Sequence, residues 1–235
     1  MNDGRIVAVG DSALAIQFDD RIDPEVNARV MACAHAVAAH HLGGVRDVVP
    51  AFRSVTVYFD PLATDLERLG RLLRDAAPSG QSWGPPSGGP VPGQRTVEIP
   101  VCYDPDFAPD LEDVCRTAGL SADEVVDRHT SPEYRVYMLG FVPGFAYLGT
   151  VDPRIATPRR AVPRTAVARG SVGIAGSQTG VYPRQVAGGW NIIGRTPLSM
   201  VTLDADRPTR LAPGDRVRFR AIGRAEFDRL QEPHP

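Results

Sequence analysis

The chain has 235 residues, of which 43% are apolar and 23% charged, and its formal net charge at pH 7 is −2. This composition is that of an ordinary globular protein with room for one large or two small domains. The near-neutral charge predicts no general affinity for nucleic acid or for an anionic membrane surface. No run approaches the roughly 20 apolar residues of a membrane helix and no signal peptide is evident, so we expect a cytoplasmic protein.

All 26 basic residues are arginine, and the absence of lysine excludes several kinds of chemistry. Neither a P-loop nor a Schiff-base enzyme can be built without a lysine side chain. An amidase with a Ser-Ser-Lys triad is excluded for the same reason. The three cysteines, Cys33, Cys102 and Cys115, are too few and too widely spaced for a zinc site or a disulfide framework.

Residues 1–78 predict a small α+β domain. Its strands are indicated by alternating apolar residues at residues 5–9, 13–18, 45–49 and 54–59. A first helix is predicted to start with Asp23 as N-cap and Pro24 as its first residue, and a second with a capping box of Thr64 and Glu67. Two helices on an antiparallel sheet predict a ferredoxin-like α/β sandwich that serves as a scaffold.

Neither the histidines of this domain nor the segment after it suggests chemistry. His35, His40 and His41 have no Asp, Glu or Cys at ligand spacing, so we expect no bound metal. Residues 79–94 are dense in Pro, Gly and Ser, which indicates a linker. Residues 95–235 would then form a second domain.

The second domain is predicted to contain few helices and many short strands. The strands are expected at residues 96–101, 135–139, 190–193, 198–203 and 216–220. One helix carries Leu111 and Val114 and ends at Gly119, and a capping box of Ser121 and Glu124 begins the next. Short strands joined by long glycine-rich loops fit a closed β-barrel.

Residues 134–200 concentrate the unusual features of the chain. Their many glycines nearly exclude helix and favour tight, open turns. Seven arginines and no Asp or Glu lie between residues 153 and 203. Glycine-rich turns, aromatic side chains and a local positive charge suit a site for a small anion. The alternative is a set of barrel turns with solvated arginines, which composition alone favours.

Several motifs in this stretch, taken in order, resemble one known family. They are GFVPGFAYLG at residues 140–149, PRRAVPR at 158–164, GSVGIAGSQTGVYP at 170–183, GGW at 188–190 and IIGRTP at 192–197. The series is similar to the family of the 5-oxoprolinase B subunit (PxpB), which includes the kinase inhibitor KipI and was long labelled allophanate hydrolase subunit 1. One departure is Val186-Ala187, since the family usually has a proline before Gly-Gly-Trp. The resemblance implies a cyclophilin-like β-barrel for the second domain.

Histidine and arginine side chains are the polar candidates for a site. His129 stands before the motif block, as a histidine does in the family, and could act there as a general acid or base. A capping or core histidine is the alternative. Arg159 and Arg160 lie between two prolines that restrict the backbone, and Arg164 directly follows the second. Arg195 follows an apolar strand, and we expect one or two of these four arginines to bind a carboxylate or phosphate.

The other candidates are expected to form the walls and turns of a substrate pocket. Ser171 is not in a nucleophile elbow and Gln178 could position a substrate amide, so binding is favoured over nucleophilic catalysis. The aromatic and turn residues favoured as pocket walls or interface are Phe141, Pro143, Gly144, Phe145, Tyr182 and Trp190. No metal ligands are expected among them.

The resemblance implies a subunit of an ATP-dependent 5-oxoprolinase, a hydrolase that opens 5-oxo-L-proline to L-glutamate. The central stretch has no carboxylate cluster for Mg²⁺, so we expect a site completed by a PxpC-like partner (allophanate hydrolase subunit 2-like), with a PxpA-like subunit also present. ATP with Mg²⁺ would bind at the level of the complex and not to this chain alone, which should be inactive by itself. The alternatives are a KipI-like inhibitor of a sensor histidine kinase and an accessory subunit of an allophanate or urea pathway.

Overall fold

The structure is a computed structural model that describes residues 4–77, 95–202, 204 and 206–231. The chain divides into two compact units, with the division between residues 91 and 92. The linker predicted at residues 79–94 lies outside the described residues, so it stays a prediction.

The N-terminal unit combines a four-stranded sheet with two helices. Its elements are, in chain order, β1 (Arg5–Ala8), β2 (Ala13–Gln17), α1 (Pro24–Ala39), β3 (Val45–Pro50), β4 (Ser54–Phe59) and α2 (Leu66–Asp75). The strands pair antiparallel in the order β1-β2-β4-β3. The sheet and both helices share one core, in which Val30, Val57 and Leu69 are fully buried.

The antiparallel sheet with two helices was expected, but the ferredoxin-like name stays a prediction. The elements of this unit run ββαββα, and β1 forms the sheet edge next to β2 before the first helix begins. A ferredoxin-like chain runs βαββαβ. The edge that its last strand would fill is therefore occupied here by a strand from the start of the unit.

The starts of the two helices in this unit test two sequence signals. Asp23 caps α1 as predicted, and its Oδ1 accepts from the Glu25 amide at 2.8 Å. The capping box predicted for α2 was wrong, because Asp65 is the N-cap and accepts from the Arg68 amide at 3.0 Å. Thr64 instead donates its hydroxyl to a backbone carbonyl in the turn before β3. The charged carboxylate one residue later is the stronger acceptor.

The C-terminal unit is built around a closed barrel. Its elements are β5 (Thr96–Cys102), α3 (Leu111–Ala118), α4 (Ala122–Thr130), β6 (Glu133–Leu139), β7 (Ala146–Gly149), β8 (Arg164–Val167), β9 (Ser171–Ala175), β10 (Gln178–Val181), β11 (Val186–Gly188), β12 (Asn191–Arg195), β13 (Arg216–Ile222) and α5 (Arg224–Leu230). Seven strands close in the order β10-β7-β6-β13-β5-β12-β9, and β8 pairs with β11 in a separate ribbon. This architecture is consistent with the cyclophilin-like barrel that the resemblance implies.

Most strands predicted for this unit are confirmed, with ends shifted by a few residues. They are β5, β6, β12 and β13. The strand predicted at residues 198–203 was wrong: over the described residues 198–202, Val201 makes an isolated bridge to Thr209 and no ladder forms. The strand content of the glycine-rich stretch was also underestimated, because this stretch contains the short strands β7 to β11 where long loops were predicted.

Glycines make these short strands possible, because a side chain at these positions would collide with a neighbouring strand. A Cβ on Gly180 in β10 would lie 2.8 Å from the Ala146 carbonyl oxygen. A Cβ on Gly194 in β12 would lie 2.7 Å from Val101 Cγ1. Such distances are well inside van der Waals contact. The glycine content that argued for loops therefore permits close packing of strands.

The helix signals of this unit are confirmed. α3 ends before Gly119, which adopts the left-handed conformation with φ 65°. Ser121 and Glu124 form the predicted capping box: the Glu124 amide donates to Ser121 Oγ at 3.2 Å and the Ser121 amide to Glu124 Oε2 at 2.8 Å. α4 consequently begins at Ala122 and delivers His129 to the barrel.

The three cysteines are free thiols, with Cys33 and Cys102 buried and Cys115 half-buried. Burial raises the pKa of Cys33 to about 12, which makes this thiol unreactive at neutral pH. Among the described residues, no helix is both long and apolar enough to cross a bilayer. The cytoplasmic location stays a prediction.

Candidate substrate pocket

A cavity of about 240 Å³ opens on the C-terminal unit between the β6–β7 turn, the segment before β8 and the turn between β11 and β12. We call it the aromatic pocket, and its lining is Phe141, Phe145, Tyr147, Arg159, Pro163, Gln178, Tyr182, Ala187, Gly188, Gly189 and Trp190. The residues in this lining that sequence reasoning had selected are Phe141, Phe145, Arg159, Gln178, Tyr182 and Trp190. The structure thus brings residues from four separate motifs into one cavity.

Edge-to-face contacts hold the aromatic wall of this pocket together. The Phe145 ring centroid lies 4.9 Å from that of Tyr147, 5.3 Å from that of Tyr182 and 5.3 Å from that of Trp190. The interplanar angles are 68°, 73° and 86°, which is the arrangement that aromatic quadrupoles favour. Phe145 and Tyr182 are each 1% exposed. The wall is therefore preformed without a ligand.

The β6–β7 turn holds Phe141 at the mouth of the pocket in an unfavourable backbone conformation. Its φ is 68°, in the left-handed region, and 58% of its surface is exposed. The Gly140 amide closes the turn by donating to the Phe145 carbonyl at 3.1 Å. Gly144 has φ 84°, and a Cβ there would lie 2.8 Å from Val201 Cγ2. Gly144 is thus required by the packing of the turn and does not line the pocket.

The last residue of β11, Gly188, approaches Tyr182 so closely that a side chain is excluded there. A Cβ on Gly188 would lie 2.4 Å from Tyr182 Oη. At Gly189 the nearest atoms to such a Cβ are ordinary contacts, Pro163 Cγ at 3.6 Å and Arg159 Nη2 at 3.7 Å. Gly188 therefore fixes the place of the Tyr182 hydroxyl in the pocket wall.

Arg159 supplies the positive charge of the aromatic pocket. Arg159 shares the lining with Tyr147 and Tyr182. Burial raises the pKa of both tyrosines, and the positive charge of Arg159 opposes that rise. No carboxylate in the described part of the chain lies within 4.0 Å of the Arg159 guanidinium. An uncompensated guanidinium next to two phenols and the Gln178 amide is suited to a small carboxylate.

The two following arginines bind a buried carboxylate and do not line the pocket. Arg164 contacts both oxygens of Asp110, with Nη1–Oδ2 at 2.8 Å and Nη2–Oδ1 at 2.6 Å. Arg160 Nη1 donates to Asp110 Oδ1 at 2.5 Å. Asp110 is 1% exposed and also accepts from the Ile192 amide at 2.6 Å. Substrate contact by Arg160 and Arg164 stays a prediction, and their charges are compensated within the protein.

Sequence reasoning missed Asp110 because this carboxylate lies outside the acid-free stretch, 50 and 54 residues before its two arginine partners. Its one sequence signal is its place directly before α3, where an aspartate usually caps the helix. The Asp110 side chain makes no cap hydrogen bond here. Its ion pairs with two arginines could not be predicted from that position.

His129 is a core residue of the barrel. Its side chain is 0% exposed and stacks on Phe219 at a centroid distance of 4.6 Å. Thr179 Oγ1 donates to the Gly173 carbonyl at 3.0 Å, so it accepts from His129 Nε2–H at 2.9 Å. Nδ1 then accepts from the Tyr103 hydroxyl at 2.7 Å. Burial lowers the pKa of His129 to about 3, so the ring is neutral at pH 7. This is the core alternative, and a catalytic role has no support from the geometry.

The remaining selected residues lie outside the aromatic pocket, so their binding roles stay predictions. Pro143 is exposed in the β6–β7 turn, and Ser171 is buried at the start of β9. Arg195 lines a different cavity. Tyr147 and Pro163 line the pocket but were not selected. Tyr147 could have been predicted, because it follows Phe145 by two residues in the same motif, and residues two apart in an extended chain point to the same side.

The aromatic pocket can bind and orient a ligand but has no catalytic group of its own. Its lining contains no carboxylate and no histidine. Groups of three or more His, Cys, Asp or Glu placed to hold a metal are absent from residues 4–77, 95–202, 204 and 206–231. Phenols with raised pKa values stay protonated at neutral pH and can donate hydrogen bonds. Groups that drive a reaction would have to come from elsewhere.

The C-terminal unit is a closed β-barrel that carries a preformed aromatic pocket, and comparisons with known proteins identify its family. Residues 4–211 match the family described as "Carboxyltransferase domain, subdomain C and D". The 5-oxoprolinase B subunit of Bacillus subtilis (strain 168) is 39% identical, over 97% of this chain and 97% of that protein. The 5-oxoprolinase B subunit of Escherichia coli O157:H7 is 38% identical, over 93% and 96%. The chain belongs to this carboxyltransferase-domain family and, within it, to the family of 5-oxoprolinase B subunits.

One solved crystal structure has the same fold and is also similar in sequence. The crystal structure of TTHA0988 superposes with a TM-score of 0.79 at 35% identity. The match covers 95% of this chain but 41% of that one. TTHA0988 thus carries this fold within a chain more than twice as long.

Proposed function

We propose that this chain is the substrate-holding subunit of an ATP-dependent 5-oxoprolinase and binds 5-oxo-L-proline in the aromatic pocket. The observation that carries the proposal is the Arg159 guanidinium, which pairs with no carboxylate among the described residues, in a small, preformed pocket walled by Phe145 and Trp190. Membership in the family of 5-oxoprolinase B subunits supports the choice of substrate. The ligand is a five-membered lactam with one carboxylate, which needs one cation, one amide partner and an apolar wall.

Each part of that ligand has a counterpart in the lining. The carboxylate would pair with Arg159, whose planar fork suits two oxygens. The Gln178 amide can bond the lactam group, since it offers both a donor and an acceptor. The ring carbons would rest on Phe145 and Trp190. The Tyr147 and Tyr182 hydroxyls can donate to an oxygen that gains negative charge during ring opening.

The chemistry that opens the lactam would be completed by partner subunits. The family reaction consumes ATP, and phosphoryl transfer needs a metal to neutralise phosphate charge. The described residues of this chain hold no acidic cluster that fits Mg²⁺, so no metal-dependent step is assigned to them. We infer that a PxpC-like subunit contributes across the pocket mouth and that a PxpA-like subunit completes the complex. The greater length of TTHA0988 supports a requirement for additional protein.

The test is reconstitution of the complex with matched arginine variants. The chain is co-expressed with PxpC-like and PxpA-like subunits, and 5-oxoproline-dependent ATP hydrolysis is measured. Arg159→Gln should raise KM by about tenfold or more, the loss of one charge-assisted contact of about 1.4 kcal/mol or more. Arg184→Gln is the control, because Arg184 is an exposed arginine of the same stretch that lines neither cavity described here.

Two outcomes would contradict the proposal. A stable complex without 5-oxoproline-dependent hydrolysis would reject the substrate, and offering allophanate in the same assay would test the urea-pathway alternative. An unchanged KM in Arg159→Gln would reject the pocket.

A KipI-like regulator is the second candidate, favoured by the exposure of Phe141 at the pocket mouth. A regulator needs an exposed apolar contact for its partner and no turnover. It predicts that the isolated chain inhibits autophosphorylation of a sensor histidine kinase and that Phe141→Ala relieves this inhibition. Inhibition that does not respond to this substitution would remove the reason for preferring that surface.

A further inference from the structure

The segment that carries Arg159 into the aromatic pocket belongs to no strand. Residues 158–163 lie between an isolated bridge, which joins Thr157 to Gly176, and the start of β8 at Arg164. A regular ladder of backbone hydrogen bonds therefore does not fix this segment. Individual contacts hold it instead, and the structure shows them on both sides of Arg159.

Asn191, the first residue of β12, fixes the residue before Arg159. It is buried, and its partner across the sheet is Ile174 of β9. Its side-chain Nδ2 donates to the Pro158 carbonyl at 2.8 Å and to the Ile174 carbonyl at 3.2 Å. Carbonyls only accept hydrogen bonds, so these two contacts use both hydrogens of the amide group. The Asn191 side chain thus joins Pro158 to two strands of the barrel.

The residue after Arg159 is fixed from the same stretch of chain. The Arg160 amide donates to the Gly189 carbonyl at 2.8 Å. Residues 158 and 160 are thus bonded to residues 191 and 189, and these two contacts enclose Arg159 and Trp190. The Arg159 side chain also approaches this turn, because a Cβ on Gly189 would lie 3.7 Å from Arg159 Nη2. The cation and the aromatic wall of the pocket are therefore held together.

Two buried side chains secure the segment at its opposite ends. After Arg159, Asp110 binds the guanidiniums of Arg160 and Arg164. Before Arg159, the contact comes from Asn191. Pro158 has no amide hydrogen, so its carbonyl is the one backbone group through which it can be hydrogen-bonded. Loss of the Asn191 amide therefore releases the backbone directly before the pocket cation.

We propose that Asn191 positions Arg159 in the aromatic pocket and thereby contributes to the affinity for the substrate carboxylate. This inference rests on the proposed function, in which Arg159 binds that carboxylate. Asn191 does not line the pocket, so it acts through Arg159 and not on the substrate itself. The substrate carboxylate is remote from the bond that breaks, so its binding is the same before and during ring opening. Loss of Asn191 should therefore raise KM and leave kcat unchanged.

Matched asparagine variants in the reconstituted complex test this role. Asn191→Ala should raise KM for 5-oxoproline about three- to tenfold, the range expected for a lost hydrogen bond, at unchanged kcat. Asn27→Ala is the control. Asn27 is also buried and donates from Nδ2 to two carbonyls, those of Ala51 and Phe52, but it lies in the N-terminal unit. Its replacement should lower stability and leave KM unchanged.

A double substitution shows whether Asn191 acts through Arg159. In the Arg159→Gln background, Asn191→Ala should raise KM no further, because the guanidinium that Asn191 positions is already absent. A general loss of structure in the pocket would instead add to the effect of Arg159→Gln. Asn191→Gln keeps an amide donor and should fall between wild type and Asn191→Ala. It also keeps the proposal testable if Asn191→Ala does not fold.

Amide hydrogen exchange of the full chain without substrate measures the positioning independently of turnover. Asn191→Ala should speed exchange of the Arg160 amide about three- to tenfold, because the segment loses one of its contacts. The Val136 amide, which donates to the Asp215 carbonyl at 2.8 Å in the barrel, should exchange as in the wild type. Asn27→Ala should change the exchange of neither amide.

Three results would overturn the proposal. They are unchanged exchange of the Arg160 amide in Asn191→Ala, additive effects of Asn191→Ala and Arg159→Gln on KM, and a KM that rises in Arg159→Gln but not in Asn191→Ala. The last result would leave the proposed function intact. An unchanged KM in Arg159→Gln would reject the proposed function and with it the effect of Asn191 on affinity, whereas the exchange of the Arg160 amide would still show whether Asn191 fixes the segment.

Discussion

Arg164 and Asp110 form a two-pronged ion pair, with Nη1–Oδ2 at 2.8 Å and Nη2–Oδ1 at 2.6 Å, and Arg160 adds a third hydrogen bond to Oδ1. Asp110 immediately precedes α3, and β8 begins at Arg164. The pair therefore ties the proline-bounded segment that carries Arg159 to the barrel. The position of the pocket cation depends on a carboxylate that does not line the pocket.

Asp110→Asn should lower the free energy of unfolding by about 3–5 kcal/mol, the usual effect of removing one partner from a buried ion pair. Two guanidiniums would keep their charge and lose its compensation. Urea unfolding measures the change. Asp113→Asn is the control, because Asp113 is a half-exposed carboxylate 3.7 Å from Arg160 and should change stability by about 0.5 kcal/mol or less. Equal effects of the two substitutions would contradict a stabilising role for the buried pair.

Gly188→Ala should close part of the aromatic pocket, whereas Gly189→Ala should be tolerated. The methyl group at position 188 would lie 2.4 Å from Tyr182 Oη, but at position 189 the nearest atom is 3.6 Å away. Displacing Tyr182 should destabilise the unit by about 1–3 kcal/mol. Thermal unfolding and calorimetric titration with 5-oxoproline measure both effects. Matching behaviour of the two alanine variants would show that Tyr182 does not need this close approach.

Phe141→Gly and Phe141→Ala separate the backbone of the β6–β7 turn from its exposed ring. Both remove the aromatic side chain, but glycine alone relieves the φ of 68°. We expect the glycine variant to be more stable than the alanine variant by about 1 kcal/mol, the usual penalty of the left-handed region. Urea unfolding measures this difference. If the ring serves binding, both variants lose affinity for the partner or substrate equally, and an alanine variant as stable as the glycine variant would argue against strain.

His129 should make the barrel sensitive to acid. Its imidazole has a pKa of about 6.5 in the unfolded chain, and burial lowers it to about 3 in the fold. Between these values the unfolded chain binds a proton that the folded chain does not. Stability is therefore fully present above pH 6.5 and falls as the pH decreases towards 3, by up to about 1.4 kcal/mol per unit.

Urea unfolding of the C-terminal unit between pH 7.5 and about 4.5 measures this dependence. His129→Gln should be less stable at pH 7 but should lose less stability on acidification than the wild type. Identical slopes for His129→Gln and the wild type would mean that another group controls the acid response.

Short sequence motifs predicted helix ends well, but they could not predict ion pairs between residues far apart in the chain. Ser121 and Glu124 form their capping box because both residues lie within one helical turn. Asp65 displaced Thr64 as a cap because two acceptors competed one residue apart. Asp110 was missed because its arginines are 50 and 54 residues away. No sequence pattern marks such a pairing without the folded barrel.

The aromatic pocket was found in outline for a different reason. The glycine-rich stretch contains the large aromatic residues Phe145, Tyr182 and Trp190. Exposed aromatic rings are unfavourable in a soluble monomer, so their presence between turns indicates a pocket or an interface. The same glycines hid the strands β7 to β11, since they are depleted in ordinary strands. His129 could have been a catalyst or a core residue by sequence, and only its three-dimensional surroundings decide its burial.

The position of β13 in the barrel has a consequence for how the protein is made. This strand comes last in chain order among the barrel strands, yet it lies between β5 and β6 and is parallel to β5. During synthesis the edges of β5 and β6 stay unpaired until residues 216–222 have left the ribosome. A nascent chain that stalls before Arg216 therefore presents two open edges, and these edges are covered only after the last barrel strand has left the ribosome.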